Sequence, residues 1–330
     1  MRLYCVVGGA LISLASAFVA AQGMYVQVGD VQIGGPLPAQ WDYLTADAAG
    51  KRLYVSHNAE VVVIDTATNQ VVGRIADTPG VHGIAIGAGK VFTSNGREGK
   101  VSMVDPKTLA TISKIDSAGA NPDAITFDAK RNEVWVFNHT GMSATQIEAA
   151  SGKVGATIPL TGTAESGQAD GAGKVFVNIE DKDQIDVIDI AARKVAASWP
   201  VAPGTSPTGM ALDNATHRLF VGAGKFMVMM DATNGKVVAS VPICNGTDAT
   251  WYDATTKLAF SSCREGKITV ARVDGDKMTV VQTIDTSVGS KTMALDPTTH
   301  RLYVAAAKPN PAGGRGNDPN SFHVLIYGMK

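Results

Sequence analysis

Asp42, His82, Asp123, His139, Glu165 and Asp248 are of types that hold a cation or a polar ligand. Carboxylates brought close together repel one another unless a cation, a histidine or a ligand compensates them, so these residues gathered in one place would form a small charged pocket. The oxygen donors Asp42, Asp123, Glu165 and Asp248 suit Ca²⁺, whereas His57, His82 and His139 suit zinc or copper. Their sequence spacing enforces no catalytic arrangement. They lie far apart in the chain and act together only if the fold collects them.

Other strings with a chemical look reduce to turns. GAGK occurs at 87–90, 171–174 and 222–225, but Val91, Val175 and Phe226 follow where a phosphate loop needs Ser or Thr. No CxxCH is present for covalent haem, and no GxSxG for a hydrolase nucleophile.

The elements that must position the six residues are repeated ones. MALDPTTHRLYV at 293–304 is a near copy of MALDNATHRLFV at 210–221. Weaker copies anchored on Leu53, Val91, Val134, Val175 and Leu258, together with Leu219 and Leu302, recur about every 41 residues, giving seven units. Within a unit, short runs of Val, Ile, Leu and aromatics alternate with polar residues and are bounded by Asp, Asn, Thr and Gly, which is hairpin chemistry. Four strands per unit is the content of a propeller blade. The last unit ends after FHVLIYG without a fourth strand, and the unassigned run YVQVGDVQI at 25–33 is free to supply it. The expected fold is therefore all-β: a seven-bladed β-propeller of four-stranded antiparallel blades, its ring closed by an N-terminal strand.

Composition bounds the setting. With 29 basic and 30 acidic residues and a net charge of -1, the chain offers no attraction for nucleic acid or an anionic membrane. Residues 1–21 read as a signal peptide: an early Arg2, an apolar run from Val6 to Ala20, and small residues at Val19 and Ala21 before Gln22. Residues 22–330 then form a single propeller domain, monomeric and periplasmic or secreted, with no transmembrane anchor after cleavage. Cys5 leaves with the leader, and Cys244 and Cys263 remain to form a disulfide within the sixth unit.

The units LDPTTHRLYVAAA (295–307), RLYVSHNAEVVVIDTATNQVVGRI (52–75) and VFVNIEDKDQIDVIDIAARKVAASW (175–199) resemble the YVTN family of β-propeller repeats. That family pairs a YVAN-like strand with a VSVIDTATNKVVATI-like hairpin, and the likeness runs over essentially all of residues 22–330. It implies the propeller fold and a surface-layer, periplasmic or electron-transfer-associated setting. The third unit (FNHTGMSATQIEAASGKV) and the sixth (SCREGKITVARVDGDKMTV) depart from the hairpin pattern.

In a propeller, the links between blades share a face with the loops joining each blade's second and third strands. The links contribute Asp42, His82, Asn121, Asp123, Glu165, Thr208, Asp248 and Lys291 to that face. The loops add His57, Asn58, Asn95, Arg97, Asn138, His139, Asn178, Glu180 and Arg264. The insertion KPNPAGGRGNDPNS at 308–321 emerges there too, while His217 and His300 fall in exposed turns at the opposite face. Two functions fit. The first is a binding scaffold for a protein, peptide, small-molecule or cell-envelope ligand on the loop face, centred on His82, Asp123, His139, Glu165, Asp42 and Asp248. The alternative resembles the calcium-dependent lactonase propellers: a metal-dependent hydrolase at the mouth of the central channel, with Ca²⁺ held by Asp42, Asp123, Glu165 and Asp248.

Overall fold

The computed structural model describes residues 24–311 and 316–330. The leader proposed for residues 1–21 lies outside them. The described residues form seven four-stranded antiparallel sheets. The innermost strands run Leu44–Asp47, Val81–Gly87, Pro122–Asp128, Ala164–Ala169, Pro207–Asp213, Thr247–Asp253 and Met293–Asp296. Each packs against the next, and the seventh packs against the first, so the ring is closed. Among the described residues the only helices are two single 3₁₀ turns, Glu180–Lys182 and Pro319–Ser321.

The turn chemistry does what the repeat implied. In the first hairpin of several blades an Asp side chain accepts backbone N–H groups two or three residues on: Asp296 from Thr298 at 2.9 Å, Asp253 from Thr255 at 2.9 Å, Asp128 from Lys130 at 3.0 Å. The residue before the second strand then takes a left-handed conformation, as at Lys51, Asn132, His217, Lys257 and His300. In the sixth blade this turn places Ala259, not Leu258, at the position of the repeat's anchor, since Asp253 pairs with Leu258 as Asp213 pairs with Arg218.

Middle strands are covered on both faces by neighbouring blades, which is why runs such as Arg52–His57 bury nearly every residue. The core is accordingly divided into seven wedges, one between each pair of adjacent blades. Closure follows the expected route. Tyr25–Gln32 is the outer strand of the seventh blade, antiparallel to His323–Met329, with Tyr25 opposite Met329 and Gln32 opposite His323. Tyr25 is the anchor: it is 1% exposed, packs edge-on against Phe260 at 5.3 Å, and exchanges backbone hydrogen bonds with the Gln282 amide.

Cys244 and Cys263 are joined, with Cα atoms 5.7 Å apart. The described part of the 308–321 insertion is held against residues 33–41. Ile33 and Gly34 donate to the Phe322 carbonyl, Asn317 donates to the Ala39 carbonyl, and the Phe322 ring stacks on Trp41 and His57.

Candidate functional site

The register between inner and second strands brings one residue from every blade to an equivalent position at the mouth of the channel: Asp42, His82, Asp123, Glu165, Thr208, Asp248 and Lys291. Except for Asp42 and Lys291, these are not link residues, as the sequence suggested, but second residues of inner strands. His139 joins them from the loop after the second strand of the third blade.

Around the rim the charges alternate. Lys291 Nζ lies between Asp248, in close contact, and Asp42 Oδ1 at 3.4 Å. Asp42 Oδ2 meets His82 Nδ1 at 2.6 Å, and the same nitrogen is 3.7 Å from Asp123 Oδ1. Asp123 Oδ2 is 3.9 Å from His139 Nδ1, which reaches Glu165 Oε1 at 3.2 Å and the Ala164 carbonyl at 2.9 Å. The chain of contacts ends where the Tyr43 hydroxyl donates to Glu165 Oε2 at 3.4 Å. Thr208 takes no part, its hydroxyl donating to the Thr247 carbonyl.

Titration at the rim follows from this order. Burial, with the charges of Asp42 and Glu165 added, pushes the Asp123 carboxyl up to about 8 against the pull of both histidines. Hydrogen bonding to Glu165 raises His139 to about 9. Burial raises Glu165 and Asp248 as well. Burial also pushes Asp42 upward, but Lys291 and His82 together outweigh it and hold that carboxyl below the usual range. Burial opposes protonation of His82, and the Asp42 hydrogen bond and the Asp123 charge overcome it, so its value is raised.

Two groups of donors could each close on one cation: Asp42, His82 and Asp123, and Asp123, His139 and Glu165. Within each, the donor atoms lie within 4.8 Å of one another. The all-carboxylate Ca²⁺ set expected from the sequence is not assembled as such. Histidines are interposed between its members, and Asp248 belongs to Lys291.

Below the rim the inner strands of all seven blades enclose a cavity of ≈ 380 Å³. Tyr43 crosses its mouth from the first blade, packing against the wedge between the third and fourth blades. Sequence reasoning missed Tyr43. The register would have exposed it, because the equivalent positions hold Gly83, Ala124, Ser166, Gly209, Ala249 and Thr292.

Several residues expected on the loop face are withdrawn from it. Asn95 and Asn138 are the last residues of second strands, Asn178 the last but one, and all three are fully buried. Asn138 donates to Ser143 and Thr145, and Asn178 to the Thr208 carbonyl, tying strands and blades together. His57 is buried likewise, with Nδ1 3.0 Å from Glu60. At the opposite face His217 is exposed as expected, but His300 is half-buried and pairs with Asp253 at 2.6 Å across a blade boundary.

No family model matches the chain. Its sequence is 23% identical over 286 residues to the uncharacterized protein YncE of Salmonella typhi, across 84% of this chain and 71% of that protein. Among solved structures it is similar to hydrazine synthase of Kuenenia stuttgartiensis, with a TM-score of 0.74 and 17% identity over 88% of this chain and 96% of that one. It is also similar to the WD40 repeats of RRP9, with a TM-score of 0.78 and 9% identity over 91% and 97%. These likenesses bear on the fold.

Proposed function

We propose that this chain is an exported propeller of the YVTN kind, residues 22–330 forming one monomeric domain, that binds a protein, peptide or cell-envelope ligand at the rim of its channel on the loop face. The observation that carries the reading is the rim itself. Four carboxylates are drawn together in a place where none of the seven hydrophobic wedges needs them. Burying charge is unfavourable unless it is paired, and a scaffold retains such groups where they serve recognition. The surrounding β ring holds them rigidly, which suits a preformed site. The disulfide fits an oxidising compartment, and no helix among the described residues is long and apolar enough to cross a membrane. The lactonase alternative needs Asp42, Asp123, Glu165 and Asp248 around one ion, and the pairing of Asp248 with Lys291 works against it.

The test is retention of components from a fractionated envelope extract on immobilised protein. Wild type and His300→Gln, altered at the far face, should retain the same component, and the double variant Asp123→Ala/Glu165→Ala should lose it while melting as a folded protein. Equal retention by all three removes the rim from the function.

A further inference from the structure

The rim holds a feature that ligand recognition in general does not explain. Asp123 is 7% exposed and neither of its carboxylate oxygens is within hydrogen-bond distance of a donor. Oδ1 in particular is closed to solvent without a partner. A buried carboxylate in a native fold is normally hydrogen-bonded, so one without a protein donor calls for a physical account. The bare oxygens point between two histidine–carboxylate pairs. On one side His82 Nδ1 stands between Asp42 at 2.6 Å and Asp123 at 3.7 Å, and on the other His139 Nδ1 stands between Glu165 at 3.2 Å and Asp123 at 3.9 Å. In each case an imidazole nitrogen stands between two carboxyl oxygens where a cation would sit, and His139 Nδ1 would exchange its 2.9 Å contact with the Ala164 carbonyl for the ion.

We infer that the rim is a binding site for a divalent transition-metal cation of the zinc class, with Asp123 as the ligand shared by the two triads Asp42–His82–Asp123 and Asp123–His139–Glu165. The donor chemistry selects the class. Each triad mixes one imidazole nitrogen with two carboxylate oxygens, a set that suits zinc and its neighbours, whereas Ca²⁺ takes six to eight oxygens. The neighbours act as supports for the ligands. Lys291 holds the outer oxygen of Asp42 at 3.4 Å, and the Tyr43 hydroxyl holds the outer oxygen of Glu165 at 3.4 Å, leaving the facing oxygens to the ion. Space is reserved on the far side of His82 as well. A Cβ at Gly96 would come within 2.7 Å of His82 Nε2, so glycine there lets the ring turn Nδ1 to the rim. The Asp253–His300 pair at the opposite face has the same two residue types at 2.6 Å but no third donor, which makes it an internal control.

The inference concerns what the rim holds whether or not a partner docks there, so the two readings fail separately. Tag-free protein, stripped with chelator and exchanged into buffer, is titrated calorimetrically with Zn²⁺ and, in parallel, Ca²⁺ near neutral pH. Wild type and His300→Gln should bind Zn²⁺ saturably at micromolar concentration, at least one ion per chain, and should prefer it to Ca²⁺. Asp123→Asn, which keeps the shape and removes the shared anionic ligand, should bind at least ~10–100-fold more weakly. Zn²⁺ should also raise the melting temperature of wild type and not of Asp123→Asn. Should Asp123→Asn fail to fold, His82→Gln combined with His139→Gln takes its place with the same expectation. Undiminished Zn²⁺ binding by the folded ligand variants, no saturable Zn²⁺ binding by wild type, or tighter binding of Ca²⁺ than of Zn²⁺ would each overturn the assignment. Retention of an envelope component is read separately and survives any of these outcomes.

Discussion

Replacing Lys291 with Met should unbalance the rim in a way that can be measured. Lys291 is the cation between Asp42 and Asp248, and its side chain is 24% exposed. At the 3.4 Å separation from Asp42, a unit pair in an effective dielectric of about 20 is worth about 5 kcal/mol before desolvation and screening. Stripping one partner from a buried pair typically removes about 3–5 kcal/mol. The loss has a ceiling, because one of the two stranded carboxylates can take a proton. Protonating an acid of ordinary pKa near 4 at pH 7 costs about 4 kcal/mol. Lys291→Met should therefore destabilise chelator-treated protein by about 3 kcal/mol at neutral pH. The sign of the pH dependence follows. With Lys291 gone, the folded-state value of Asp42 rises above its unfolded value and that of Asp248, already raised, rises further, so the deficit grows as pH rises and shrinks as pH falls toward the ordinary carboxylate range. Adding Asp248→Asn should recover a large part of the loss, since one stranded charge is then absent. Urea unfolding followed by tryptophan fluorescence at two pH values, for the single and double variants, reads all three quantities. A loss below about 1 kcal/mol that is the same at both pH values would refute the alternating-charge account.

Two other sites give predictions of their own. Tyr25→Ala should remove about 3–5 kcal/mol by emptying the anchor of the closing strand, whereas Tyr25→Phe should be near neutral because the buried hydroxyl has no partner; thermal melts of the two variants check the contrast. At His57, burial, with Arg74 adding, outweighs the hydrogen bond that the imidazole makes to the Glu60 carboxylate and keeps the folded value below the ordinary 6.5, so the unfolded chain binds the proton more readily. Stability from this residue is complete above about 6.5 and is lost as pH falls through the lower folded value. His57→Gln should flatten that decline in urea midpoint on acidification, and an unchanged slope would acquit His57.

Much of the architecture was legible because it is written locally and seven times over. Alternation in runs such as RLYVSH and the Asp-led turns specify hairpins within a few residues of themselves, and the strand lacking from the last unit pointed to Tyr25–Gln32. The disulfide was legible because only two cysteines, Cys244 and Cys263, lie beyond residues 1–21. The rim was legible only in part. Membership of the loop face follows from topology, but which side chains turn toward the axis depends on radial position. Asn95 and Asn138 end second strands and are caught between blades, while His139, one residue further on, is released to the rim. Lys291 was placed on the correct face without its role, because pairing with Asp42 requires the first and last blades to meet. Tyr43 went unnoticed because a large residue at a position of small ones appears only once blades are aligned on strand register.

The closing strand also orders events in time. Tyr25–Gln32 is synthesised ahead of the blades described here, yet its partner His323–Met329 follows nearly three hundred residues later. Throughout synthesis the early strand has no native neighbour, and six blades can form while the seventh remains an open edge. Contacts between such distant segments form slowly, and a hydrophobic edge left waiting is open to pairing with another chain. Val28, exposed amid this strand, would then face solvent or a stranger. A ring built this way closes only when Tyr25–Gln32 and His323–Met329 are available together.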